Sequence, residues 1–232
     1  MHFLKLLLCG LSGYLIGSIN PAYLIARTRG FDIRKHGSGN AGASNAVITM
    51  GKKTGAFIAL FDIIKAVVSV WIARYFILPG VAYASCLAGT ACIIGHIFPI
   101  FMRFRGGKGL ACLGGVILAL NPMVFAVLIC IELVLVLIID YICIVPITAS
   151  LIYPALYGSI TDDNVGAVIF MVATVVILYK HVENVRRIRN GTEAHFSYLW
   201  KKDHEIERLQ DLINDPLLQM QRDEEKKKDE ND

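Results

Sequence analysis

Charged side chains are scarce in this chain: only 18% of its 232 residues are Asp, Glu, Lys or Arg. With 55% hydrophobic residues and a mean hydropathy of +0.56, a soluble domain is excluded and a polytopic, all-α membrane protein is expected. Nothing in so apolar a chain points to nucleic acid. Paired cysteines are also missing. The six cysteines (Cys9, Cys86, Cys92, Cys112, Cys130 and Cys143) all fall in apolar runs with no Cys-x-x-Cys spacing. That excludes a zinc site or a disulfide framework, leaving small buried hydrophobes and no expected metal. The Gly-x-x-x-x-Gly-Lys-[Ser/Thr] pattern is absent too, because Met102 and Gly109 occupy two of its positions. A P-loop nucleotidase is thereby ruled out. No internal repeat is visible.

What the chain has is long apolar runs, at about 3–26, 54–78, 80–102, 110–121, 122–139, 143–158 and 165–180. A span takes roughly 20 residues at 1.5 Å each across ~30 Å of hydrocarbon. The first three runs qualify, and the last two are short. The stretch 110–139 reads either as one kinked helix or as two short ones meeting at Asn121-Pro122. Basic residues decide between them. They gather at 27–53, at 103–108 and after 180, where 11 of the 23 Lys+Arg lie at or beyond Lys180. The intervening ends carry only Lys5, Arg74 and the acidic Asp162-Asp163. The positive-inside rule places the three basic windows in the cytoplasm, which requires 110–139 to cross and return. Seven membrane helices follow, N-terminus out and C-terminus in. The competing reading of the first run as a signal peptide fails for want of a small-x-small cleavage site. Gly13-xxx-Gly17 suits close helix packing in lipid. The chain divides into a membrane domain, 1–194, and a cytoplasmic tail, 195–232. That tail has an amphipathic pattern (Ile206, Leu209, Leu212, Ile213, Leu217) and a charge-dense end that is expected to be disordered.

The three basic windows are the candidate site. The first, FDIRKHGSGNAGASN at 31–45, is rich in small residues whose amides can form an anion nest. Ser38, Gly39, Asn40 and Asn45 supply donors, while Arg34, Lys35 and His36 supply charge. The bland reading is a flexible basic loop, against which the density of Asn and Gly argues. The second window, FRGGKGL at 104–110, sets Gly106, Gly107, Lys108 and Gly109 at a helix start, as a phosphate cradle would. In the third, His181 and Asn184 share a helical face, continued by Arg187; an interfacial histidine is the plain alternative. Inside the apolar runs, Asp62, Lys65 and Glu132 are charged. Such residues are site candidates by default, although a structural Asp62–Lys65 pair reads equally well.

Together the windows resemble the bacterial acyl-phosphate:glycerol-3-phosphate acyltransferases, an integral-membrane family. The resemblance runs from about Gly13 to Glu193 and rests on GSIN at 17–20, GFDIRKHGSGNAGASN at 30–45, FDIIKA at 61–66, GHIFPIFMRFRGGKG at 95–109 and HVENVRRIRNGTE at 181–193. It implies a multi-pass protein of the bacterial plasma membrane, with seven spans and a cytoplasmic active site. The reaction implied moves a fatty acyl group from acyl phosphate to the sn-1 hydroxyl of glycerol 3-phosphate, giving lysophosphatidic acid and phosphate. No cofactor is implied; the partners are the two substrates, membrane lipid and the soluble enzyme that makes acyl phosphate. Phosphate binding falls to Arg34, Ser38, Gly39, Asn40, Asn45, Gly106, Gly107 and Gly109. Lys108 neutralises the leaving phosphate, and His181 and Asn184 position the acceptor. Cys143, Arg187, Glu193, Asp62 and Lys65 are further candidates. No His-x-x-x-x-Asp occurs, so the built-in His-Asp base of other acyltransferases is absent.

Two positions depart from the family pattern. Ile48 stands where an arginine is usual, for which Arg34 or Arg103 can compensate. Cys143 and Pro146 replace serines of a hydroxyl-rich turn, and a thiol is a weak donor. A slower or altered enzyme is one consequence; a transporter for a phosphorylated metabolite and a non-catalytic binder are the rival classes.

Overall fold

The computed structural model describes residues 1–199 and residue 201, and every regular element among them is helical. The amphipathic and charged patterns expected within 202–232 lie outside the described residues. The described residues form nine α-helices: α1 (His2–Ser18), α2 (Pro21–Thr28), α3 (Ala43–Met50), α4 (Lys52–Trp71), α5 (Ala82–Ile97), α6 (Leu110–Leu120), α7 (Pro122–Ile139), α8 (Ile144–Thr161) and α9 (Asn164–Arg189). Among the described residues, six stretches are long and apolar enough to cross a membrane: His2–Thr28, Lys52–Ile77, Ala82–Met102, Pro122–Ile139, Ile144–Thr161 and Asn164–Arg189. Helix α6 is shorter. Its 11 residues reach only about 17 Å, well under the ~30 Å hydrocarbon thickness.

The first apolar run, expected to be one helix, is broken. Ile19 is extended, Pro21 takes the first position of α2, and the Asn20 side chain caps α2 by accepting from the Tyr23 amide at 2.8 Å. The same chemistry makes the turn expected inside 110–139. Asn121 Oδ1 accepts from the amides of Met123 and Val124, both at 3.1 Å, and Pro122 opens α7. Asparagine before proline therefore punctuates the chain twice: once within a span, and once between α6 and α7.

Helix α5 is the centre of the assembly and α7 its rim. The most apolar window of Ala82–Met102 is 72% buried, against 17% for Pro122–Ile139, which leaves Leu133, Val134, Leu137 and Ile138 facing outward. Small residues bring α1 onto α5, as Gly13-xxx-Gly17 suggests. A Cβ on Gly13 would stand 2.3 Å from Ala88 O, and one on Gly17 would stand 2.1 Å from Cys92 O. Ala66, Val70, Ile93, Val116, Phe170 and Ile177 fill the core between α4, α5, α6 and α9. Glu132, the charge in the middle of α7, turns inward and accepts from Thr148 Oγ1 of α8 at 2.8 Å. Past residue 194 the chain keeps contact with the bundle. Phe196 donates its amide to Asp140 O at 2.7 Å, and His195 stacks on Tyr141 at the α7–α8 turn.

Candidate active site

The three basic windows meet at one end of the helices. The first is shaped from beneath by Asn45, which is 1% exposed on the opening turn of α3. Its Nδ2 donates to the carbonyls of Ile33, His36 and Asn40 at 3.1, 3.0 and 2.8 Å, and its Oδ1 accepts from the Ser38 amide at 2.9 Å. One side chain thus contacts four backbone groups of the loop, two of which, Ile33 O and His36 O, also accept from His36 N and Gly39 N. Gly37 and Gly39 take positive φ values of 58° and 69°, which the tight path requires. Asn45 therefore organises the loop, while Ser38, Gly39 and Asn40 line the space above it.

Arg34 ties that loop to the second. It pairs with Asp32 at 2.8 Å, donates to Met102 O at 2.8 Å and lies 4.9 Å over the Tyr23 ring. The hydrogen bond from Arg34 holds the Asp32 carboxyl down at about 2, so the pair stays charged at neutral pH.

The second window differs from the cradle its glycines suggest. The amides of Gly106 and Gly107 do not face outward; they donate to Ile97 O and His96 O, the closing carbonyls of α5, at 3.1 and 3.0 Å. Both glycines are there for proximity. A Cβ on Gly107 would sit 2.0 Å from His96 Nε2, and one on Gly106 would sit 2.1 Å from His96 O. The Ser38 and Gly39 amides are likewise engaged within their own loop, and the Ala41 amide donates to Gly106 O at 3.4 Å. Glycine gives the loops their close packing, and anion contact is left mainly to side chains.

The third window presents the face expected from its spacing. His181, Asn184 and Glu193 are all buried at the end of α9 and just beyond. Lys108 donates to Asn184 Oδ1, Asn184 Nδ2 donates to Glu193 Oε1 at 2.5 Å, and Glu193 Oε2 accepts from Arg187 Nε at 2.6 Å. Arg187 also reaches Glu183 at 2.6 Å. This relay joins Lys108, Asn184, Arg187 and Glu193 into one unit. Burial lowers the Lys108 pKa below the usual lysine value, with Arg187 adding to the effect, while Glu193 and Glu183 oppose it. His181 stands beside the relay and bonds through Nδ1 to Ile177 O at 2.7 Å. A carbonyl only accepts, so Nδ1 carries the proton; in the neutral ring, Nε2 is left as an acceptor.

These parts enclose a cavity of about 360 Å³ lined from all three windows. Arg34, Ser38, Gly39 and Asn40 come from the first, Arg105, Gly106 and Lys108 from the second, and Lys180, Glu183 and Arg186 from the third. Five cations against one carboxylate make it a receptor for more than one negative charge. Cys143 immediately precedes α8, makes no capping bond with its side chain, and is buried at 4% exposure. Burial, reinforced by Glu193, pushes its thiol up to about 11, so it stands neutral near the relay without lining the cavity. Ile48 is 46% exposed on α3 and also lies off the cavity. Of the two arginines named as able to compensate for it, Arg34 lines the cavity and Arg103 does not; the arginine that the second window adds to that wall is Arg105.

Asp62 and Lys65 are not in the cavity. They form a buried pair at 2.7 Å, with His96 Nδ1 at 3.4 Å from Asp62 Oδ1 and 3.1 Å from Lys65 Nζ. Asp62, His96 and Cys112 bring ligand atoms within 4.8 Å of one another, a spacing a metal could use. The Lys65 ammonium already stands among them as the neutralising cation, which argues against an ion there. Sequence reasoning missed His96, Asn20, Asp32, Arg105, Lys180, Glu183 and Arg186. The helical i, i+3, i+6 spacing of the last three was the available signal.

Comparison with known proteins follows the same lines. A family model described as glycerol-3-phosphate acyltransferase matches residues 7–191. Curated relatives named glycerol-3-phosphate acyltransferase include those of Geotalea daltonii and Bacillus subtilis. The first is 34% identical over 80% of this chain and 95% of the relative; the second is 33% identical over the same shares. The crystal structure of PlsY, an integral membrane glycerol 3-phosphate acyltransferase, in its glycerol 3-phosphate form superposes with a TM-score of 0.76 at 31% identity. That match covers 84% of this chain and 96% of PlsY. The lysophosphatidic acid form gives 0.72 at 32% identity, with the same coverage.

Proposed function

The chain belongs to the glycerol-3-phosphate acyltransferase family, and from that premise we propose how its cavity performs acyl transfer. It is an integral-membrane enzyme of phospholipid synthesis that acylates glycerol 3-phosphate to lysophosphatidic acid. The donor is a fatty acyl phosphate, and the transfer is direct. An acyl phosphate is already activated, so the glycerol hydroxyl oxygen bonds to its carbonyl carbon, the bond from that carbon to the bridging phosphate oxygen breaks, and phosphate departs with the electron pair and takes up the hydroxyl proton. No acyl-enzyme is needed. The chain's task is to hold two phosphate groups side by side and to stabilise charge as one of them leaves.

The observation that carries this reading is the single cavity to which all three windows contribute, with five cations in its wall. Lys108 meets the leaving phosphate and is aimed by Asn184, whose side-chain carbonyl oxygen accepts a hydrogen bond from its ammonium. Arg34, Arg105, Lys180 and Arg186 share the remaining negative charge, with Ser38 and Asn40 as neutral donors. His181 Nε2 orients the attacking hydroxyl. The membrane domain, 1–194, crosses seven times with α6 and α7 as a thin returning pair. Its basic end faces the cytoplasm, where glycerol 3-phosphate and the soluble acyl-phosphate-forming enzyme are found. A transporter would place its site near the midplane, but this cavity lies at one end of the helices.

Purified protein given glycerol 3-phosphate and palmitoyl phosphate is expected to yield lysophosphatidic acid and equimolar phosphate. Palmitoyl-coenzyme A in its place is expected to yield none. Absence of product from palmitoyl phosphate, with an active family member run in parallel, would overturn the reading.

A further inference from the structure

Beneath the cavity, outside its wall, lies a continuous set of polar contacts that the acyl-transfer chemistry leaves without a role. We infer that Asp62, Lys65 and His96 form a buried positioning hub that sets the two anion-binding loops relative to each other. All three are at most 5% exposed, and Lys65 sits one helical turn from Asp62 on α4. The hub reaches both loops through short connections. Lys65 Nζ donates to Ile19 O at 2.7 Å, at the break between α1 and α2. The next residue, Asn20, donates its Nδ2 to Ala41 O at 2.9 Å, which fixes the end of the first loop. On the other side, His96 O accepts the Gly107 amide at 3.0 Å, and the His96 ring fills the space a Gly107 side chain would need. The circuit closes where the Ala41 amide meets Gly106 O at 3.4 Å.

Two features distinguish a hub from an ordinary buried ion pair. The contacts run from α4 to the α1–α2 break, to α5 and to both loops, so the Lys65 ammonium and the His96 ring together locate Ala41 and Gly107. The hub also explains the broken first span. An unbroken helix would use Ile19 O within its own ladder; the break frees that carbonyl for Lys65 and releases Asn20 toward Ala41. None of the three side chains lines the cavity, so they act through the loops as positioning residues.

The test compares Lys65→Met and the double variant Asp62→Asn/Lys65→Met with wild type. The single variant strands a buried carboxylate and is expected to be unstable, whereas removing both charges restores stability. In the double variant, the unfolding midpoint is expected to match wild type while kcat falls ~100-fold, the scale associated with misplacing reacting groups by about 1 Å. Hydrogen exchange at the Ala41 amide and at the Gly106 and Gly107 amides is expected to rise together. Ser69→Ala, which removes a buried bond to Ala88 O elsewhere on α4, is the control and leaves both loops protected. The kinetic arm rests on the proposed acyl transfer, but the exchange arm does not, so an inactive wild type would sink that function and leave this inference open to measurement. Wild-type exchange in the double variant, or a rise in one loop alone, would overturn the hub. So would a loss of protection through every helix, because the cluster would then be merely structural.

Discussion

Lys108, from the glycine-rich turn before α6, donates its ammonium proton to Asn184 Oδ1 on the last turns of α9. That contact spans 76 residues of sequence and joins the second basic window to the third. Asn184 in turn holds Glu193, so the lysine is aimed by a neutral acceptor and not quenched by direct contact with a carboxylate.

Replacing Lys108 by alanine is therefore expected to reduce lysophosphatidic acid formation by ~10²–10³-fold, the loss seen when a transition-state charge donor is removed. Size-exclusion behaviour and thermal unfolding in detergent are expected to stay close to wild type. A rate within threefold of wild type would remove Lys108 from the chemistry.

The pH dependence follows from the lowered Lys108 pKa. Turnover needs the ammonium, so the alkaline limb of kcat/KM is expected below the ordinary lysine value of 10.5. The stability contribution has the opposite sign: between the lowered value and 10.5 the unfolded chain binds more protons, so stability rises with pH as activity falls. Lys108→Arg keeps its charge throughout and is expected to retain a reduced rate without that limb. Profiles of the two enzymes from pH 6 to 11 settle the comparison.

Asp32 behaves in the reverse way. Its carboxyl is held down at about 2 by the Arg34 hydrogen bond, against an ordinary value of 3.8. A depressed carboxylate adds stability that is fully present above the unfolded value and is lost as pH falls through the folded one. Asp32→Asn is expected to lower the unfolding midpoint at pH 6, and the gap from wild type is expected to narrow as pH drops from 4 to 2. A constant gap would show that the ion pair contributes nothing.

Asn45→Leu leaves Ser38 N–H and the Asn40 carbonyl without the Asn45 amide, while Ile33 O and His36 O keep only their backbone donors, His36 N and Gly39 N. Each stranded group costs about 1–3 kcal/mol where it is buried. The expected result is a clearly lower unfolding midpoint and a raised KM for glycerol 3-phosphate, because the loop carrying Ser38 and Asn40 loses its shape. An unchanged KM would mean that the loop takes no part in binding.

Gly107→Ala tests the close approach of the second loop, since its new Cβ would stand 2.0 Å from His96 Nε2. Activity and unfolding midpoint are both expected to fall. Gly114→Ala, whose Cβ would meet only Phe125 at an ordinary 3.5 Å, is expected to be neutral or to stabilise by about 0.4–1 kcal/mol.

How much of this was legible in the sequence depended on the range of the interaction. Local devices were readable. Asn121-Pro122 marks a turn because proline blocks the residue before it, and His181 with Asn184 shares a face because a helix repeats every 3.6 residues. The helix break expected inside 110–139 is found at Asn121. Long-range partners were not readable. The GGKG window looks like an amide cradle until His96 O and Ile97 O are seen to take its first two amides. Asn45 looks like a ligand until its four contacts turn inward. Asn20-Pro21 carries the same dipeptide as Asn121-Pro122, but its apolar run gave no reason to break the span. That reason is Lys65, 46 residues away, which needs the Ile19 carbonyl.

The central claim is that the three windows act as one site, and it is tested most directly by initial rates of lysophosphatidic acid formation for one variant from each: Ser38→Ala, Lys108→Ala and Asn184→Ala. All three proteins are expected to fold, and all three are expected to lose rate with both glycerol 3-phosphate and palmitoyl phosphate present. A wild-type rate from any one of them would show that its window stands outside the active site and would contradict a single shared cavity.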